Sequence, residues 1–231
     1  LSGDCIKYLA SLNRRCEVWV ELGVQTANDR TLRKINRGHD FAAVENAVKR
    51  LDAHGIRVAA HVILGLPGET QSDFRATAEK IASLPFSGIK AHNLLVLKGT
   101  PMARMFHDGE VSALNEYEYA DALADFLAIL PERTVVMRLC ADADASEVIA
   151  PKWWMKKGQF LSMFRTLFEA RAAGRDDGVR VVRTEDGSCT LYHPGFRQHF
   201  HSVAGARTES WKKYIEPCRV EERLREGSSV S

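Results

Sequence analysis

Residues 56–65, IRVAAHVILG, read as one nearly continuous apolar strand. Such a strand has no polar side to turn toward water, so it suits a parallel sheet covered on both faces. On either side of it the period changes. Asp40 is a helix N-cap candidate, and Phe41, Val44, Ala47, Val48 and Leu51 then recur at helical spacing until Gly55 ends the run. A second helix is expected over about 71–83. Residues 17–24 form an earlier strand rich in β-favouring side chains, and Asn28 or Asp29 caps a short helix through Ile35. GIKAHNLLVL reads as the next strand, KGTPM as a loop, 115–130 as an amphipathic helix stopped by Pro131, TVVMRL as a further strand and 156–173 as a last helix. Strand–helix alternation of this kind builds right-handed βαβ units and a parallel sheet or barrel. Four strands are too few to close a barrel, so the missing strands are expected before residue 1.

Near AAGRDDGVR the rhythm stops. The spacing places one unit at 1–174 and a second segment at 175–231, whose end, REGSSVS, has the composition of a disordered tail. The formal net charge of +2 gives the chain little general attraction for DNA, RNA or membrane. No apolar run reaches the roughly 18 residues that a membrane span needs. The five cysteines (Cys5, Cys16, Cys140, Cys189 and Cys218) are widely spaced, with no C-x-x-C among them, which suggests free thiols in a reducing, cytoplasmic compartment. His193, His199 and His201 lack an evident fourth ligand, so no metal site is expected. Trp153 and Trp154 are expected to pack rather than to stack on a base.

In α/β sheets ligands sit at the C-terminal ends of the strands. Glu21, Gln25, His61 and His92 lie at or near such ends, and Glu21, Gly23 and Gln25 share one strand face by their period of two. Arg37 lies one short helix later and can fold back over the same rim. In GLPGE, Gly65 and Gly68 let backbone amides approach a ligand, beside the partial positive charge of the helix that follows. Lys90, His92 and Lys98 are candidates to face a substrate from the last strand and its loop.

ELGVQTANDRTLRKINRGHDF resembles the fourth-strand segment of the radical S-adenosylmethionine (SAM) superfamily, in its coproporphyrinogen-dehydrogenase-like and Elp3-like branches, and HVILGLPGET resembles the fifth-strand motif. GIKAHNLLVLKGTPMARM, RLCADADASEVIAPKWW and MKKGQFL are similar, in order, to later segments of the YhcC-like/MnmL-type family. The resemblance implies the C-terminal part of a partial (β/α)6 TIM-like radical SAM barrel, with SAM contacted by Gln25 and Arg37 and approached by Glu21. His61 stands at the ribose position, where some branches carry Asp. It implies tRNA wobble-uridine modification, carboxymethylaminomethyl to aminomethyl, with tRNA and an electron donor as partners. Lys90, Lys98, Arg104, Lys152, Lys156 and Lys157 are the candidates for tRNA contact. The superfamily's C-x-x-x-C-x-x-C motif for a [4Fe–4S] cluster is not in this chain, so the cluster is expected only in a full-length protein. TLYHPGFRQHFHSVAGARTESWKKYIEP resembles the start of MnmC-type tRNA methyltransferases. Two other classes fit the residues: a phosphate-binding α/β barrel without radical chemistry, and a non-catalytic RNA-interaction module.

Overall fold

The computed structural model describes residues 1–173, and beyond them 180–183, 185, 189–193 and 198–199. The chain divides into two compact units, Leu1–Arg165 and Thr166–Ser231. In chain order the elements are α1 (Gly3–Asn13), β1 (Trp19–Gln25), α2 (Asp29–Lys34), α3 (Phe41–Asp52), β2 (Arg57–Leu64), α4 (Gln71–Ala82) and β3 (Gly88–Asn93). Then follow β4 (Val96–Leu97), α5 (Pro101–His107), α6 (Glu116–Ile129), β5 (Val135–Arg138), β6 (Val148–Ala150) and α7 (Lys157–Ala172). The second unit holds a three-stranded antiparallel sheet of β7 (Arg180–Arg183), β8 (Cys189–His193) and β9 (Gln198–His199). Most of the segment resembling a methyltransferase start lies outside the described residues.

The expected parallel α/β architecture is present: β1, β2, β3 and β5 form one sheet, in that order and all parallel. Side chains capable of capping decide where its helices start. Asn28 accepts from the amides of Arg30 and Thr31, and Asp40 from that of Ala43. Reciprocal capping boxes join Thr70 to Asp73 and Asn115 to Glu118. The apolar stripe of α3 (Phe41, Val44, Val48, Leu51) is buried, as are Phe74, Ala78 and Ile81 of α4 and Tyr119, Leu123 and Phe126 of α6. One sheet face meets these helices through Val58, Ala60, Val62, Leu64, Ile89 and Ala91, all buried. Removing a side chain such as Leu51 from this layer would cost about 2–5 kcal/mol.

Two readings need correction. GIKAHNLLVL is not one strand: it leaves the sheet after Asn93, where the Asn93 carboxamide accepts from the Ala141 amide. Val96 and Leu97 then pair antiparallel with β6, over a small second core of Leu66, Leu94, Val96, Ala103, Val111 and Ala150. KGTPM is not wholly loop, because the Thr100 hydroxyl accepts from the Ala103 amide and Pro101 opens α5.

Candidate functional site

A parallel sheet is ordinarily covered on both faces. The side of this sheet opposite the helices is instead lined with polar groups, in layers from the N-terminal to the C-terminal end of the strands. At the floor, a Cβ on Gly88 would lie 3.0 Å from Trp19 Cζ3 and 3.3 Å from Met137 Sδ, so these two side chains close that end. In the next layer the Lys90 ammonium donates to the Glu21 carboxylate, reaching across β2 where the side chain is only Ala59. Lys90 lowers the Glu21 pKa, chiefly through this hydrogen bond.

Above that pair is a chain of three groups. Arg138 Nη1 lies 3.1 Å from His92 Nε2, and His92 Nδ1 lies 2.9 Å from His61 Nε2. A guanidinium only donates, so His92 Nε2 accepts; its Nδ1–H then donates to His61, whose own proton is left on Nδ1. Burial, followed by the His61, Arg138 and Lys90 neighbours, pushes His92 down to about 4. His61 is lowered too, by burial first and then by Arg138. At neutral pH the face therefore carries two neutral imidazoles between the cations of Lys90 and Arg138 and the anion of Glu21.

The rim is built on Gly23. Its carbonyl accepts from Arg37 Nη2 at 3.0 Å, and Arg37 Nε donates to His39 Nε2 at 3.1 Å. A Cβ at position 23 would sit 2.5 Å from Arg37 Nη2 and 2.9 Å from Gln25 Nε2. Glycine here leaves room for both side chains to converge. Gln25 does not reach this place by simple alternation. The pairing slips between Gly23 and Gln25, and Gln25 takes φ +64, so the strand ends in a bulge and the carboxamide folds back.

Gly65 (φ +93) and Gly68 (φ +80) make the turn after β2. Glu69 closes it: the carboxylate accepts from Thr26 Oγ1 at 2.6 Å, and burial raises its pKa. Thr77 Oγ1 accepts from the Ala27 amide and bonds the Thr26 hydroxyl, while Asn28 donates to Asp73. The β1 and β2 exits are thus stitched together.

Of the residues expected at a site, Glu21, His61, Lys90 and His92 share the polar face, with Gln25 and Arg37 at its rim. Lys98 sits on the turn after β4, in the ribbon paired with β6 rather than in the parallel sheet. Trp153 packs against Tyr119 and Phe160 as expected, but Trp154 is 95% exposed. His39, in the polar segment after β1, holds Arg37 in place. Arg138 was not expected at the site: it ends a strand, but its face depends on a bulge.

Residues 2–81 match the model of the Radical SAM superfamily, and residues 86–169 match that of the Radical_SAM C-terminal domain. The chain belongs to the radical SAM superfamily. YtqA of Bacillus subtilis (strain 168) is 39% identical over 188 residues, 81% of this chain and 58% of that protein. YhcC of Escherichia coli (strain K12) is 36% identical over 137 residues, 59% of this chain and 44% of that protein. The tRNA uridine(34) acetyltransferase of Methanocaldococcus infernus is 27% identical over 133 residues, 56% of this chain and 25% of that enzyme. Among solved structures, the archaeal M. infernus Elp3 with an N-terminal deletion shares the fold, with TM-score 0.65 and 18% identity over 86% of this chain and 52% of that one. The chain spans about half the length of the curated relatives it matches.

Radical SAM proteins use SAM and a [4Fe–4S] cluster. What bears on SAM is donor groups and not a cavity: the Arg37 guanidinium and the Gln25 carboxamide converge over Gly23, filling the space a Cβ would take, and a small polar molecule such as SAM can accept hydrogen bonds from both. The cluster finds no such fit: Cys5 and Cys16 are exposed, Cys140 is buried, and among the described residues no three His, Cys, Asp or Glu side chains group to hold a metal.

Proposed function

We propose that this chain is the C-terminal part of a radical SAM enzyme that converts the carboxymethylaminomethyl group of tRNA wobble uridine to aminomethyl. The observation that carries the SAM half of this reading is the convergence of Arg37 and Gln25 over the missing side chain of Gly23. The tRNA half is supported by the ordered family motifs and by a relative that acts on tRNA uridine(34). In this reading residues 1–174 are the barrel part, and 175–231 are a linker and the opening of a methyltransferase-like domain. The cluster cysteines, the contact with an electron donor and most tRNA-binding surface belong to the full-length protein.

In the full-length protein, bound SAM and the cluster would supply radical chemistry toward the substrate. The residues of this chain hold and orient. Arg37, steadied by His39 and the Gly23 carbonyl, offers its guanidinium to an anionic or hydroxyl group of SAM, and Gln25 offers a carboxamide beside it. Glu21 lies on the same face for the SAM amino group, His61 for its ribose, and the Gly65–Gly68 turn carries backbone toward the nucleoside. Lys90 and His92 face the substrate. The phosphate-barrel alternative is disfavoured at GLPGE, because Glu69 and the ionised Asp73 bring two carboxylates to the turn where phosphate would bind.

In the full-length enzyme, Arg37→Ala or Gln25→Ala is expected to weaken SAM binding by about 1–3 kcal/mol, the cost of a charge-assisted hydrogen bond. Equilibrium binding measures it, and unchanged affinity in both variants would remove these residues from the SAM site. Nucleoside analysis of tRNA from a strain lacking the gene is expected to show carboxymethylaminomethyl-uridine accumulating. An unchanged wobble-uridine profile, in a strain with no second enzyme for the step, would reject the reaction and leave SAM binding standing.

A further inference from the structure

β5 pairs with β3 through Gly88↔Val135 and Ile89↔Val136, and then slips, so that Lys90 faces Arg138 instead of Met137. Had the ladder continued evenly, Arg138 would oppose Ala91 and point to the helix-covered side. The extra residue turns the guanidinium onto the polar face, beside His92. Bulges recur next to active sites because they re-aim one side chain.

The charges on that face do not balance. Lys90 is matched by Glu21. Among the described residues Arg138 forms no ion pair, and on this face it donates to the imidazole of His92. A neutral imidazole that accepts one N–H fixes a guanidinium in direction without discharging it. The remaining N–H groups form a planar fork, the geometry that matches a carboxylate with two parallel hydrogen bonds. Arg37 is likewise without an ion pair among the described residues, but it stands at the opposite strand of the sheet, over Gly23. The site therefore offers two separate places for anionic groups, one on β1 and one on β5, and SAM has a single carboxylate.

We propose that Arg138, turned onto the polar face by the β5 bulge and aimed by His92, binds a carboxylate of the substrate and selects for it. The inference rests on the proposed reaction, whose substrate differs from its product by a carboxymethyl group. It assigns to one guanidinium the recognition of the part that is removed. A tRNA backbone phosphate is the other source of an oxyanion, and a fork can accept it too.

The test uses full-length, anaerobically reconstituted enzyme with SAM bound. The probes are 5-carboxymethylaminomethyluridine, 5-aminomethyluridine, N-methylglycine as the isolated aminoacetate head, and inorganic phosphate. Wild type is expected to bind the carboxylated nucleoside about tenfold or more tighter than the aminomethyl one, as one charge-assisted fork requires. Arg138→Gln is expected to erase that preference, Arg138→Lys to restore part of it, and both to leave SAM affinity unchanged, which shows the site intact. N-methylglycine is expected to compete with the nucleoside in wild type and not in Arg138→Gln. Equal affinity for the two nucleosides in wild type, or a preference that survives Arg138→Gln, would overturn the assignment. Phosphate competing as well as N-methylglycine would overturn it in favour of a backbone contact. If neither nucleoside binds but N-methylglycine does so through Arg138, the carboxylate site stands and the wobble-uridine reading falls.

Discussion

At position 23 the absence of a single methyl group keeps two side-chain termini in place. In Gly23→Ala the new Cβ meets only the far ends of Arg37 and Gln25, which swing away cheaply. The variant is therefore expected to keep its urea midpoint while the full-length enzyme loses about 1–3 kcal/mol of SAM affinity. A fall in stability with SAM affinity intact would mean that Gly23 serves the strand and not a ligand. His92 makes a prediction of opposite kind. Its ordinary value of 6.5 falls to about 4 in the folded protein, where burial, His61, Arg138, Lys90 and Lys157 all disfavour the charged ring. Between these values the unfolded chain binds more protons, so stability is full above pH 6.5 and declines as pH falls toward 4. His61, also lowered, acts in the same sense, while Glu21, whose carboxylate is stabilised by Lys90, loses its contribution only at lower pH. Urea midpoints across this range should fall less steeply in His92→Gln than in the parent, and the His92 ring should titrate by NMR near 4. Gln25 and His92 were legible because strand ends can be read from hydrophobic runs, whereas Glu21 and His61, expected at or near such ends, lie inside β1 and β2 and reach the same face through their period of two. That His61 and His92 bond each other was not legible, because nothing in the sequence gives the register of β2 against β3.

Among the elements, helix boundaries were the most legible part of the fold, since caps are local: Asn28, Asp40 and Asn115 mark their helices within a few residues. Strand interruptions were not. GIKAHNLLVL looks uniform, yet its second half belongs to a different sheet, a choice made by β6, some fifty positions away. The bulges in β1 and β5 were equally hidden, because a period of two presumes that no residue is skipped. The stitch between the β1 and β2 exits carries an element-scale prediction. Thr77→Val keeps the shape but leaves the buried Ala27 amide without its acceptor. The expected loss is about 1–3 kcal/mol in urea unfolding, the cost of an unsatisfied buried donor. A loss near zero would mean that water or a rearranged Thr26 takes the acceptor's place.

At the scale of the whole molecule, the parallel sheet among the described residues is open, with β1 and β5 at its edges. Among the described residues the outer edge of β5 pairs with no strand, and Val135, Val136 and Met137 are 48%, 46% and 40% exposed. An apolar edge of this sort invites strand pairing between molecules. The isolated chain is expected to self-associate with rising concentration, and Val136→Lys to reduce that association without lowering the melting temperature. Sedimentation velocity decides it: a parent that stays monomeric, or association untouched by the lysine, would place the contact elsewhere. The slipped residue in β5 has a consequence that reaches past this molecule. Which group a strand presents to a ligand is addressed by counting, so gaining or losing one residue between Val135 and Arg138 swaps the guanidinium for its neighbour while every other amino acid stays the same. Among descendants of one ancestor, ligand choice can then change by a three-nucleotide insertion or deletion, a mutation that column-by-column identity records as a gap and scores as almost nothing.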